Sequence, residues 1–287
     1  MRKRIINKLV RMPKVLHLIA RMNVGGTARY LTMLDSGLND PNRNTGFDSS
    51  IATGFVQGAE SEDPSVANVK LHRINSLGRA INPIADHKAF KEFEELVAEL
   101  KPDIIHSHTF KAGLIARARR AALENCAGKQ IKFVHTFHGH LLDDPEFSGL
   151  KKTAIIAIER ALAKKSDQLI TVGQKVAEEL LENKVGDKSK FINIPPGVNP
   201  LPTKPKDQAR QELGITHSPV IGWLARVTGV KNPLLAAEIA KEIPNAQFIF
   251  GGDGDLMDQL KKCAPLNARS EEHTSELQSR ETISYAV

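Results

Sequence analysis

From Lys14 to Ile194 short apolar runs alternate with longer stretches of helical periodicity, and this alternation constrains the fold more than any other feature. Parallel strands cannot be joined by a tight hairpin, so each needs a crossover, usually a helix, before it can rejoin its neighbour. The strands predicted are Lys14–Ala20, Ser49–Thr53, Val69–Arg73, Asp103–Ser107, Lys132–Thr136, Gln168–Val172 and Lys190–Ile194. Helices are predicted from Thr27, as cap, to about Leu34, and at Ile84–Leu100, Lys111–Leu123, Leu150–Lys164 and Gln174–Asn183. In the second of these, Phe90, Phe93, Leu96, Val97 and Leu100 recur at the steps of one helical face.

Five prolines between Pro195 and Pro205 mark a linker. A second series follows: helix Asp207–Leu213, strand Val220–Leu224, helix Pro233–Glu242, strand Gln247–Phe250, a turn at Gly251–Gly254 and helix Leu256–Cys263. Two clear strands are too few for an independent doubly wound sheet. Apolar periodicity then stops. Arg269–Ser279 reads RSEEHTSELQS and Ile283–Val287 reads ISYAV, the strings that a common sequencing adapter yields on translation. Residues 269–287 are therefore expected to be non-native, as a scar left out of fold reasoning. The expected organisation is a basic segment at 1–12, a Rossmann-like domain at 13–195, a truncated second domain at 196–268 and the tail.

Charge and cysteine content narrow the setting. The net charge is +7, and the tail alone contributes two Arg against four Glu, so the body is more basic still. A basic body favours anionic partners without choosing among them. The basic N-terminus (Arg2, Lys3, Arg4, Lys8, Arg11) lacks the continuous apolar stretch of a secretory signal, and touches anionic lipid or stays solvated. Cys126 and Cys263 are the only cysteines, which fits a reducing cytosol. Two Tyr and one Trp, with no nucleic-acid motif, leave nucleic acid without a reader.

Doubly wound sheets bind ligands at the carboxyl ends of their strands, and the chemistry-bearing residues fall there. Gly25 and Gly26 lie between the first strand and its helix, where backbone N–H groups favour an anion or glycine simply makes the turn. The pattern is not G-x-G-x-x-G, so nicotinamide cofactors are a poor fit. His106, His108, His135, His138 and His140 end two strands. They suit a cleft handling hydroxyls or phosphates, or a zinc site, with at least two of them structural. The zinc reading is weakened by the lack of an evident carboxylate. Arg226 and Lys231, in GWLARVTGVKNP, pair a planar fork with a mobile charge suited to a diphosphate, or are solvated loop charges. Gly251, Gly252 and Gly254, in GGDGD, admit a nucleotide or make a tight turn, and Asp253 argues against direct phosphate cradling.

Over about 14–264 these segments resemble the GT-B retaining glycosyltransferases of family 4: LIARMNVGGTARYL, PDIIHSHTFKAGLIARAR, HTFHGH, ALAKKSDQLITVGQKVAEELL, INIPPGVN, IGWLARVTGVKNP and GGDGD. The resemblance implies an α/β, GT-B type enzyme of two Rossmann-like doubly wound parallel-sheet domains. The first would hold the acceptor; the second, here truncated, would hold a nucleotide-sugar donor. It implies no metal or other cofactor. Gly25 and Gly26 would lie near the donor phosphates, His138 would contact the donor sugar as the catalytic residue, and Arg226 and Lys231 would grip the diphosphate. His108, Gly252 and Gly254 join the expected substrate-binding set.

Two departures are Gly173, where the family usually has serine, and Asp255, where proline is frequent. The family's paired glutamates would lie where the tail stands. The expected parent transfers sugar to a lipid-linked or polysaccharide acceptor, in the cytoplasm or peripherally at the inner face of the cell membrane. This chain by itself is expected to be inactive. Competing readings are a GT-B nucleotide-sugar epimerase, a histidine-site metal hydrolase and a non-catalytic anion-binding module.

Overall fold

The structure, a computed structural model, describes residues 11–271 apart from 44, 59, 81, 140–148, 198–203 and 217–218. The chain divides between Val198 and Asn199 into two compact units.

The first unit holds strands β1 (Lys14–Ile19), β2 (Asp48–Thr53), β3 (Leu71–Arg73), β4 (Ile104–His108), β5 (Lys132–Phe137), β6 (Gln168–Thr171) and β7 (Phe191–Asn193). Its helices are α1 (Gly26–Asn39), α2 (Pro83–Leu100), α3 (Thr109–Ala118), α4 (Arg120–Ala127), α5 (Leu150–Lys164) and α6 (Gln174–Glu182). The seven strands form one sheet in the order β3-β2-β1-β4-β5-β6-β7, and every pairing is parallel. The order reverses between β1 and β4, the switch point where such sheets open a crevice.

Burial follows the two-residue period of a strand. Leu16, Leu18, Ile105 and Phe133 face one way and pack on Ala89, Phe90, Phe93 and Val97 of α2 and on Ala112 and Ile115 of α3. Ile19 and Ile51 face the other way, onto Ala28 and Leu31 of α1. Burying one such side chain contributes roughly 1.5–3 kcal/mol. Helix α2 shows how local chemistry sets boundaries. The Asn82 side-chain oxygen accepts from the N–H groups of Ile84 and Ala85, Pro83 fills the first position, and Lys101 ends the helix at φ 49 before Pro102.

The second unit holds β8 (Val220–Leu224), β9 (Gln247–Gly251) and β10 (Ala268–Glu271), with α7 (Lys206–Glu212), α8 (Pro233–Glu242) and α9 (Met257–Cys263). Its sheet runs β10-β9-β8, also parallel. Phe248, Phe250, Ala237, Ala240, Met257 and Leu260 form its core.

Three expectations differ. The helix expected at Lys111–Leu123 is two helices broken at Arg119. Helix α1 starts at Gly26 rather than after a Thr27 cap, and no side chain caps it. The second sheet has a third strand, β10, which runs into residues expected to lie outside the fold. Strand pairing uses backbone groups, so any extended segment can satisfy the open edge of β9.

Candidate active site

The histidines sort by strand parity. His17 of β1 stands in register with His106 of β4, and His108 lies two residues further on the same face. Register with β5 adds Thr136 to that face, and the ring of His138, one residue past β5, joins them. His17 Nδ1 lies 3.1 Å from His108 Nε2, and His108 Nδ1 lies 2.9 Å from His138 Nε2. His106 Nε2 lies 2.7 Å from Thr136 Oγ1. The Tyr30 ring meets His138 edge-on, with centroids 5.0 Å apart.

His135 belongs to the opposite face, where Nδ1 lies 2.9 Å from Ser107 Oγ. His140 lies outside the described residues. His108, expected at the substrate, is completely buried, with one ring nitrogen engaged by His17 and the other by His138. His17 and Tyr30 were missed by the sequence reading. His17 was findable: β1 and β4 are neighbours in this topology, and parity then puts it beside His106.

Burial makes these rings neutral. It pushes the His138 pKa down from 6.5 to about 4 and that of His17 to about 3. His106, His108 and His135 are also lowered well below 6.5, mainly by burial. Each therefore binds a proton more weakly folded than unfolded. Stability should be full above about pH 6.5 and fall as pH drops toward 4 and then 3. The expected slope below pH 6.5 approaches about 1.4 kcal/mol per pH unit for each such histidine. Urea unfolding between pH 8 and 4.5 checks this, and a flat midpoint would contradict neutral burial.

Ligand nitrogens of His17, His106 and His108 lie within 4.8 Å of one another. A cation there would have to break the His17–His108 contact, in a buried pocket whose donor set has no carboxylate to balance its charge. The chemistry of the donors fits hydrogen bonding better than a dication.

The two glycines of the first turn play different parts. Gly25 has φ 157 and ψ 175, a region essentially reserved for glycine. A methyl group on Gly26 would meet nothing within 4 Å. The open N-terminus of α1 carries no side-chain cap and no acidic residue in its first turn, an arrangement favourable to an anion. Gly25→Ala should therefore cost about 1–3 kcal/mol of stability. Gly26→Ala should leave the melting temperature level or slightly raised, yet weaken donor binding if a phosphate approaches that backbone. Thermal melts with nucleotide titration separate the two.

In the second unit Arg226 and Lys231 are exposed on the loop after β8, and Asn232 starts α8 by accepting from the Leu235 N–H. Neither cation is ion-paired among the described residues. Gly252 and Gly254 are required by the fold itself. A Cβ on Gly252 would lie 2.0 Å from the Ala225 carbonyl oxygen, and one on Gly254 would lie 2.3 Å from that of Val227. The Val227 N–H also donates to the Asp253 carbonyl at 2.9 Å. The glycine turn thus clamps the segment that carries Arg226. Asp253 and Asp255 are exposed.

Two parallel α/β sheets, the larger with its polar cluster at the carboxyl ends of the central strands, define a chain of GT-B type. Residues 24–200 match Glycosyltransferase Family 4, and the chain belongs to that family. It is 31% identical over 206 residues to the UDP-Gal:alpha-D-GlcNAc-diphosphoundecaprenol alpha-1,3-galactosyltransferase of Escherichia coli, covering 68% of this chain and 51% of that protein. The chain thus spans about half the length of the curated relative it matches. In fold it is similar to sucrose-phosphate synthase from Thermosynechococcus elongatus, with TM-score 0.73, 14% identity and coverage of 96% and 74% of the two chains. The catalytic domain of starch synthase IV from Arabidopsis thaliana, bound to ADP and acarbose, gives TM-score 0.62, 16% identity and coverage of 96% and 76%. Among the described residues no helix is long and apolar enough to cross a membrane.

Proposed function

We propose that the chain is the larger part of a retaining glycosyltransferase that moves a sugar, galactose from UDP-galactose in the first instance, to a lipid-linked or polysaccharide acceptor. The observation that carries this reading is a neutral, part-exposed His138 at the carboxyl end of β5, within the segment that matches the family. A neutral imidazole offers a hydrogen bond to a sugar hydroxyl without adding charge.

In this reading His138 contacts the donor sugar. The α1 N-terminus at Gly25 and Gly26 approaches the donor phosphates. Arg226 and Lys231 hold the diphosphate, and Gly252 and Gly254 fix the loop bearing them. Stabilising negative charge on the departing nucleotide is the main electrostatic task, and two cations perform it without a metal. The galactosyl acceptor of the Escherichia coli relative is lipid-linked by name, which supports an acceptor of that kind and a peripheral place at the inner face of the membrane. Residues 1–10, which hold most of the N-terminal basic groups, lie outside the described residues, and Arg11 pairs with Asp103. A second unit of three strands is expected to support no turnover by itself.

The test is UDP release from UDP-galactose by the gene product read beyond residue 268, with a polyprenyl-diphosphate GlcNAc acceptor. Release should persist undiminished in excess EDTA, and the product should keep the anomeric configuration of the donor. Loss of activity on chelation, restored by zinc, would move the assignment to the histidine cluster as a metal site.

A further inference from the structure

His17, His108 and His138 form a line of three imidazoles linked by two hydrogen bonds of 3.1 and 2.9 Å. His17 and His108 are completely buried. A neutral imidazole has one donor nitrogen and one acceptor nitrogen. His108 uses both, so whichever way its proton sits, both hydrogen bonds must run in the same direction along the line. Only two arrangements exist. In one, each ring is protonated on Nδ1: His17 donates to His108, His108 donates to His138, and His138 keeps its own proton on Nδ1. In the other, each ring is protonated on Nε2 and the donation runs inward from His138.

The inner end decides between them. His17 Nε2 is buried and has no hydrogen-bond partner. Outward donation leaves that nitrogen as an unmet acceptor; inward donation leaves it as an unmet N–H. Orphaned buried N–H groups are the rarer and costlier of the two. The chain leaves His108 through Thr109 at φ 69, a left-handed conformation unfavourable for a β-branched residue, so the strand end is held rather than free to relax.

We propose that His17 and His108 are positioning residues that fix His138 as its Nδ1–H tautomer, so that it presents a hydrogen-bond donor, not an acceptor, to a substrate oxygen. The identity of that oxygen, on the donor sugar, rests on the glycosyltransferase reading; the tautomer does not. Aligned donation also stiffens His138, because turning its ring would break a hydrogen bond inside a line that cannot re-form it with water.

The test is long-range 1H–15N correlation on this chain with 15N-labelled histidine, which distinguishes the protonated nitrogen from the bare one in each ring. All three rings should be protonated on Nδ1. His17→Asn keeps a side-chain N–H to donate to His108 and should preserve the His138 tautomer. His17→Phe leaves His108 Nε2 as a bare buried acceptor, again the less costly orphan, and His138 should keep its proton on Nδ1. His17→Asp offers His108 Nε2 only an acceptor, so the line should reverse and His138 should turn to the Nε2–H form. Protonation of His138 on Nε2 in the unaltered chain would overturn the proposal, and so would a His138 tautomer indifferent to His17→Asp in a folded variant. Should His17→Asp not fold, the unaltered chain and His17→Asn still decide. None of these spectra needs turnover, so a failed glycosyltransferase assay leaves the result standing, and the reverse holds too.

Discussion

Arg226→Ala in the gene product read beyond residue 268 should lower kcat by about 10²–10³-fold, the usual cost of removing one preorganised group that meets charge developing in a transition state. Arg226 is exposed and makes no ion pair among the described residues, so its guanidinium is uncommitted before substrate arrives. Its loop is held independently of its side chain, by the Val227-to-Asp253 and Leu256-to-Val227 backbone hydrogen bonds. The melting temperature should therefore barely move. Arg226→Lys should recover only part of the rate, since a point charge lacks the planar fork that meets two phosphate oxygens. Equal losses in kcat and kcat/KM would place the contact in the transition state, whereas a raised KM with full kcat would mean simple donor binding and sink the electrostatic role.

The largest stability effect should come from a buried ion pair to which no ligand contact is assigned. Arg117 of α3 and Glu159 of α5 are both completely buried, with Nη2 to Oε1 at 2.9 Å and Arg117 Nε donating to the Gly113 carbonyl at 3.1 Å. Arg117 Nη1 and Glu159 Oε2 have no partner. Removing one member strands the other charge in a low-dielectric site, so Arg117→Met alone should cost about 3–5 kcal/mol. Arg117→Met with Glu159→Leu should recover most of that loss or exceed the unaltered chain. Urea unfolding of the two single variants and the double variant closes the cycle; a single-variant cost below about 1 kcal/mol would mean water reaches the pair. Gly113 is part of the same arrangement. A Cβ there would lie 2.4 Å from Arg117 Nη2 and 2.6 Å from His135 Cε1.

The alternation of strands and helices was legible because it needs only periodicity, and α5 and α8 begin and end where their patterns do. The break at Arg119 was not legible, since a run of Ala and Arg carries no helix-stop signal. It is set by tertiary contacts: Arg119 stacks over Phe90 at 4.2 Å and Arg120 over Phe133 at 4.9 Å. Among the histidines, sequence proximity grouped His135 with its neighbours, and parity separated it. His17 escaped because its partners are ninety residues away and only register reveals them. The glycines of GGDGD were recognised as special, but sequence alone does not distinguish a glycine that admits a ligand from one that admits its own backbone.

That last distinction bears on how this loop pair changes over generations. Gly252 and Gly254 leave no room for a methyl group against Ala225 and Val227. A substitution at either glycine is tolerable only alongside a change in the path of 225–227, and an insertion there would have to be answered in 251–254. Across related sequences the two loops should drift as one inherited unit, so that a chimera taking each from a different relative would fail where a chimera exchanging both would not.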